Sequence, residues 1–567
     1  MCGWLFFIVQ QTYYAKVGFK MLILDINKIS KNFGYGTLFE NLSFSLKEGE
    51  RISIVGANGC GKSTILKMIV GFEKIDKGNI NIKNGSKIAY LDQAASDEKD
   101  DRVVEDIIRD AFTDLLKMQK ELNEIYDKLE TKQSQVDTDR LISRSSSLQE
   151  EFQNRGGYEI DTEIDIVCNG LEISKNMRLQ NYESLSGGEK TIIHLAKALL
   201  QKPDLFLLDE PTNHLDIRRI EWLEKCIKNF KGSTIIISHD RRFLDTMSHK
   251  ILEIDNGEGT IYHTNYTGYL NEKERRYEKL MANWEEQQTY FKRLEDEAKR
   301  MAQAGMATNS HAMTRKAAVL FGRIEREKEK FAIKRPEKKR KIKMNFEEGK
   351  KSGKRALEVK DLTITTPEQT IVYCANFYVL AGEKVALIGD NGSGKSSIIK
   401  AILGEQELLQ TGKINISPSS QIGYLPQTIS FDDDKLKLLE YFQKEVSVGE
   451  EKARSILSRF LFDKEDVSKR VGNLSGGERI RVRLASLLQQ QINTLIFDEP
   501  TNHIDIPTKE SMEQAIEDFD GTLLFISHDR FFINKFADRI IEIENGITKE
   551  YLGNYDFYVE KKDKYAH

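Results

Sequence analysis

Apolar and polar residues alternate in MLILDINKIS from Met21 and again in LEVKDLTI from Leu357, which predicts two strands that open similar units. Unbroken apolar runs follow in both: RISIV before Gly56 and KVALI before Gly389, then LFLLD ending at Asp209 and LIFD ending at Asp498. Such runs suit strands buried on both faces. A different period governs the segment from about 260 to 355. Tyr277, Trp284, Phe291 and Ala298 recur every seven residues, Leu280, Leu294 and Met301 fill the intervening positions, and Gln287 is the polar exception. Met313, Ala317, Leu320, Ile324 and Phe331 make a second seam, which Pro336 ends. AQAGMATNSH between them interrupts both patterns, so the segment is predicted to be an antiparallel helical hairpin with its tip at Ala302 to Met313. Its first helix should run roughly 50 Å.

The two similar units are copies. Ser186 and Ser475, Glu210 and Glu499, and His239 and His528 are each 289 residues apart, so the later part of each unit repeats without a gap. Gln93 lies 93 residues before Ser186, but Gln427 only 48 before Ser475, leaving about 45 additional residues in the first copy. They fall within about 100–160, where DLLKMQKELNEIYDKL reads as an amphipathic helix, either of a solvated hairpin or of a docking arm. The expected organisation is an N-terminal extension (1–20), a first α/β domain with the inserted arm (21–259), the helical hairpin (260–355) and a second α/β domain (356–567). Residues before Met21 read as a translation-start extension. Their short apolar patch has no basic flank before it and no small-residue cleavage site after it, which argues against a secretory signal.

Composition narrows the class. A net charge of −4 excludes a uniformly basic nucleic-acid binder, so any RNA contact must be local. No apolar run reaches the roughly 18 to 20 residues needed to span a bilayer, and no membrane insertion is expected. The 5 cysteines are dispersed without a CxxC pair, which supports neither a disulfide framework nor a zinc site and fits a reducing cytoplasm.

The chemistry sits where the strands end. Gly56-Ala-Asn58-Gly59-Cys-Gly61-Lys62-Ser63 and Gly389-Asp-Asn391-Gly392-Ser-Gly394-Lys395-Ser396 both satisfy GxxxxGK[ST] between a strand and a helix, with Thr64 and Ser397 next in line. Glycines let main-chain N–H groups wrap phosphates, the lysine neutralises β and γ oxygens, and the hydroxyl ligates Mg²⁺. Asp209–Glu210 and Asp498–Glu499 close their apolar runs. Two adjacent acids there serve magnesium-assisted phosphoryl transfer, the first holding the metal and the second orienting the attacking water. A strand-end salt bridge would explain a lone pair of acids, but each pair lies inside DEPTNH(L/I)D and precedes a strand ending in SHDR, whose His239 and His528 can sense a γ-phosphate.

These motifs, with glutamines Gln93 and Gln427 and two LSGGE pentapeptides, resemble the ABC-type ATPases over nearly the whole chain. The resemblance implies two P-loop domains closing head to tail, so that Ser186, Gly187 and Gly188 of one copy and Ser475, Gly476 and Gly477 of the other each seal ATP against the opposite phosphate loop. ATP and Mg²⁺ are the implied cofactors, with Ser63, Asp209, Gln93, Ser396, Asp498 and Gln427 around the metal, partly through water. The functional unit is then one chain with an intramolecular domain pair. Phe33 matches the adenine-stacking aromatic of this family. Its counterpart is Thr366, so the second site is expected to hold the base less tightly.

Two fused domains, no membrane span and a helical hairpin between them resemble the ABC-F family in particular. That resemblance implies binding to the ribosome at the tRNA exit site, with the hairpin directed toward the peptidyl-transferase centre, large-subunit rRNA and P-site tRNA. The role implied is either that of a translation factor or that of a ribosome-protection protein against antibiotics. Lys299 and Arg300 on one side of the tip, Arg315 and Lys316 on the other, and Met306 and His311 between them suit RNA, although a solvated coiled-coil surface would carry similar charges. The alternative function is the ATPase subunit of an exporter encoded separately.

Overall fold

The computed structural model describes residues 21–565 except 35, 93–99, 131–134, 214, 332, 334, 336–353, 367–368, 406–408 and 502–503. The N-terminal extension expected before Met21 and Pro336, expected to end the second helix, therefore lie outside the described residues. The chain forms two compact units, one made of both α/β copies and one of the helices that begin at Tyr266.

Each copy has the same two sheets. In the first, Leu22–Phe33 pairs antiparallel with Gly36–Lys47 on one side and Lys77–Ile82 on the other. A six-stranded sheet follows in the order Ile88–Leu91, Leu205–Asp209, Ser233–Ile237, Arg51–Gly56, Lys250–Asp255 and Glu258–Tyr262, parallel except at its last strand. Leu205–Asp209 and Ser233–Ile237 are buried at every position, as unbroken apolar runs flanked by helices require. The second copy repeats this order with Ile422–Leu425, Thr494–Asp498, Thr522–Ile526, Lys384–Gly389, Arg539–Glu544 and Ile547–Leu552. The first sheet runs on to Tyr262, two residues past the point where the helical segment was expected to begin.

The additional residues of the first copy form a helical hairpin, Thr113–Glu130 against Gln135–Asn154. Arg144 pairs with Glu121 at 2.8 Å and Arg155 with Asp114 at 3.6 Å, an antiparallel register.

The helical unit consists of Tyr266–Ala307, 42 residues or about 63 Å, and His311–Phe331. The expected tip was Ala302 to Met313, but only residues 308–310 leave the helices. AQAGMA continues the first helix because its alanines favour it. Asn309 then takes a left-handed φ of 52°, and the Ser310 N–H bonds the Gly305 carbonyl at 2.8 Å, closing the helix end. Gly305 is a contact point: a Cβ there would stand 2.9 Å from the Thr314 nitrogen and 3.1 Å from the Met313 Cβ. Gly305→Val should pry the ends apart, seen as faster tryptic cleavage at Arg300, Arg315 and Lys316 than in the unsubstituted chain.

The core of this unit is Phe291, Ala298 and Ile324, with Leu294, Leu320 and Phe321 around it. Three residues assigned to the seams are exposed: Leu280, to 43%, Met313 and Phe331. The second helix ends at Phe331, level with Gln287, so it does not reach Leu280. Gln287, the polar exception, has a structural task. Its amide donates to the Phe331 carbonyl at 2.8 Å and accepts from the Ile333 N–H at 2.7 Å, capping the returning helix from across the seam.

Candidate functional site

Each phosphate loop joins a central strand to a helix. Gly61 and Gly394 precede the helices Lys62–Val70 and Lys395–Leu403 with φ of 97° and 95°, and no side chain caps either N-terminus, leaving main-chain donors for an anion. At Gly61 a Cβ would strike Leu38 at 2.5 Å and Phe39 at 2.9 Å, so the glycine serves both conformation and packing. The buried ammonium of Lys62 donates to the carbonyls of Gly56 and Ala57, both at 3.0 Å. Lys395 donates to Gly389 at 2.9 Å and Asp390 at 2.8 Å, and burial lowers its pKa. Both ammonium groups are thus folded over the loops that carry them, with Ser63, Thr64, Ser396 and Ser397 in the first turn of the helices.

The acid pairs end the neighbouring strands. Glu210 and Glu499 adopt φ of 51° and 48°, the left-handed region, which is costly for a residue with a side chain. The same strain at the same place in both copies turns the glutamates away from the buried strand, while their N–H groups stay bonded to Ile237 and Ile526 at 2.9 and 3.0 Å. Burial raises the pKa of Glu210 to about 7, with Asp209 beside it adding to the effect. Burial likewise raises Asp209 and Asp498 to about 6, partly offset by the nearby hydroxyls of Ser63 and Ser396. Ser396 donates to Asp498 Oδ1 at 3.1 Å.

The histidines stand against the glutamates. His239 donates its main-chain N–H to Glu210 Oε2 at 3.1 Å, and its Nε2 meets Asn58 Oδ1 at 3.2 Å. Burial lowers its pKa to about 3, so the ring is neutral. His528 Nε2 lies 3.2 Å from Glu499 Oε1, but out of hydrogen-bond alignment. Gln427 donates to Glu499 Oε2 at 2.9 Å, whereas Gln93 falls outside the described residues.

Ser186 and Ser475 cap the helices Gly187–Leu200 and Gly476–Leu487, and each donates its hydroxyl to the glutamate three residues on. A cavity of about 560 Å³ is lined by Ser186 and Gly188 of one copy and by Asn391, Gly392, Gln427 and Glu499 of the other. The pentapeptide of the first copy and the phosphate loop of the second thus share one space. In the opposite site, Asp505 of the second copy accepts from the Asn58 N–H of the first at 3.1 Å. Phe33 ends its strand at a hairpin whose returning strand brings Leu38 and Phe39 against Gly61. Thr366 spends its hydroxyl on the Gln369 carbonyl of its own turn.

The family described as ABC transporter matches residues 39–213 and 374–502, and a second family of the same description matches 252–346. The ATP-binding protein YdiF of Bacillus subtilis is 37% identical over 96% of this chain and 83% of its own length. ABC transporter F family member 5 of Arabidopsis thaliana is 32% identical over 95% of this chain and 77% of its own. The energy-dependent translational throttle protein EttA of Haemophilus influenzae is 32% identical over 93% of both. This chain belongs to the ABC-F family.

The two domains of this ABC-F protein bind and hydrolyse ATP. Its fold is also that of the archaeal ABCE1 solved in complex with the ribosomal stalk protein aP1, with a TM-score of 0.61 at 18% identity over 95% of this chain and 92% of that one. No described helix of the ABC-F chain is long and apolar enough to cross a membrane.

The pairing of the two ABC-F domains rests on residues that the motifs do not assign. Arg241 of the first copy pairs with Glu513 of the second at 2.8 Å, and Arg530 of the second with Glu224 of the first. Each arginine and each glutamate is 289 residues from its counterpart, so the contact is reciprocal. The signals were in the sequence: the final arginine of SHDR and the last acid of DEPTNH(L/I)D, Asp216 and Asp505, are both duplicated without a role in phosphate chemistry.

Proposed function

We propose that this chain is a ribosome-bound translation factor in which ATP-driven pairing of the two ATPase domains is coupled to contact between the helical hairpin and RNA. The observation that carries the reading is the cavity shared by the pentapeptide of one copy and the phosphate loop of the other. ATP in such a space touches both domains, so its binding favours their pairing and its hydrolysis removes that preference. Glu210 and Glu499 orient the attacking water and take its proton, while His239 and His528 sense the γ-phosphate. Ser186, Gly187 and Gly188 seal the second site, and Ser475, Gly476 and Gly477 the first.

Mg²⁺ fits the strand ends. Both oxygens of Asp209 are buried and accept no hydrogen bond among the described residues, an arrangement that a cation or its water would satisfy. No cluster of three metal-ligating acids, histidines or cysteines occurs among the described residues, as expected when phosphate oxygens and water complete the shell. Ser63, Asp209 and Gln93 would hold the ion in one site and Ser396, Asp498 and Gln427 in the other. Bound there, it supplies charge neutralisation at the β and γ oxygens.

Lys299, Arg300, Arg315 and Lys316 are exposed toward the hairpin end, and so are His311 and Met306, the latter to 75%. Basic side chains with one flexible apolar group suit phosphates and base faces of rRNA and tRNA near the exit site and the peptidyl-transferase centre. The similarity to EttA, named a translational throttle protein, supports the same reading. Centrifuged from a lysate with ATP, a Glu210→Gln, Glu499→Gln chain is expected in the ribosome pellet and to leave it after ribonuclease treatment. Recovery with membranes alone would favour the exporter subunit. Drug protection is the finer outcome: resistance to lincosamides, pleuromutilins or streptogramins in cells that make the chain would add it, and unchanged sensitivity would confine the role to translation.

A further inference from the structure

The ATPase domains are copies, so a residue at their junction is expected to make its contact twice. Lys509 does not. It lies on Ile506–Glu517 of the second copy, is 5% exposed, and donates to Asp529 Oδ2 at 2.8 Å and to the main-chain oxygen of His239, across the junction, at 3.0 Å. A buried ammonium persists only where it is paired, and here one of its two partners belongs to the opposite copy. The residue 289 positions earlier is Ile220, equally buried and without a side-chain donor.

The partner is well placed to matter. His239 is the knot of the first site, because its N–H holds Glu210 Oε2 and its ring meets Asn58 of the phosphate loop. Asp505, which accepts from the Asn58 N–H, also N-caps the helix that carries Lys509. One helix of the second copy therefore fixes two groups of the first site at once. The second site is wired otherwise: Arg218 pairs with Asp390 of that phosphate loop at 3.1 Å and with Glu544 at 2.7 Å. The counterparts of Arg218 and Asp390 are Pro507 and Ala57, so this tie has no equivalent in the first site.

We propose that Lys509, which also lines the cavity at the second phosphate loop, is a positioning residue acting mainly on the first ATP site: by fixing the His239 carbonyl from the opposite copy it sets Glu210 and Asn58 for hydrolysis and makes the two sites unequal. The inference rests on the roles proposed above for Glu210 and Glu499, and the test keeps the two apart. Full-length chains carrying Lys509→Ile (the residue of the first copy), Lys509→Gln or Lys509→Arg are made in a Glu499→Gln background, where the first site is competent, and in a Glu210→Gln background, where the second is. Hydrolysis of pre-bound ATP is followed in a single turnover started with Mg²⁺.

Lys509→Ile is expected to slow the first site roughly tenfold, the scale of losing a charged donor at the His239 carbonyl, with the second site, where Asp529 also loses its partner beside His528, slowed at least about threefold less. Lys509→Arg, which keeps a donor and a charge, should restore most of the first-site rate. Lys509→Gln, too short to span both partners yet polar, should show the same selectivity and stands in if the Ile chain does not fold. Equal slowing at both sites, or none, overturns the inference. Parent Glu→Gln chains that hydrolyse normally at the substituted site overturn the glutamate assignment and this inference with it. Slow parents without selectivity at position 509 overturn the inference only.

Discussion

A Glu210→Gln, Glu499→Gln chain is expected to hydrolyse ATP at least ~100-fold more slowly than the unsubstituted chain, the scale of losing a positioned general base, while its affinity for ATP stays within a few-fold. The amide keeps the size of the carboxylate and can still accept a hydrogen bond from the His239 N–H, so the loop geometry should survive. What is lost is the group that takes a proton from water. Burial raises Glu210 to about 7, a value suited to that exchange near neutrality. The same chain should trap nucleotide. Steady-state release of phosphate and filter-bound ATP measure the two halves of the claim; turnover above a tenth of normal would remove these glutamates from the mechanism.

The second large effect is on stability. Arg530→Leu is expected to destabilise the paired domains by about 3 kcal/mol, the usual cost of stripping one partner from a buried ion pair. Arg530 is 2% exposed and meets Glu224, with Asp240 3.4 Å away, so removal strands carboxylates in a dry junction. Thermal unfolding of the chain should begin several degrees lower. Adding Glu224→Leu should recover part of the loss, because an apolar pair of similar volume replaces the orphaned charge. The reciprocal Arg241–Glu513 contact predicts a similar penalty for Arg241→Leu. An Arg530→Leu chain that unfolds at the same temperature as the unsubstituted one would mean that the junction draws its stability from elsewhere.

Much of the ATP-site chemistry was legible because it is local. A phosphate loop is eight consecutive residues whose function is to expose main-chain donors, and an acid pair at the end of an apolar run can only sit at a strand end. The duplication then showed that both sites exist. The resemblance implied that the pentapeptides meet the opposite phosphate loops, but not which other residues meet across the junction: Asp505 against Asn58 and Lys509 against His239 pair residues more than 250 positions apart. The strained φ of Glu210 and Glu499 was equally hidden, since glutamate gives no compositional hint of the left-handed region. In the helical segment the heptads located the core residues Phe291, Ala298 and Ile324. They overextended the seam to Leu280, because periodicity records which face a residue occupies and not whether a partner helix reaches it, and to Met313 and Phe331, whose side chains are exposed at the two ends of the returning helix. Treating AQAGMA as a helix breaker gave one glycine more weight than its helix-favouring neighbours.

Gln287 gives the hairpin a fixed datum. Because its side chain grips the end of the returning helix at Phe331 and Ile333, the span between that clasp and the turn is a closed measure, like the graduated part of a ruler. Reach can be altered only by inserting matched lengths into the outgoing and incoming arms, and whole heptads would do so without rotating the apolar stripe out of register, each adding about 10 Å. Relatives with longer or shorter arms should therefore differ by paired steps, and a single-arm insertion should surface as a bulge rather than as extension.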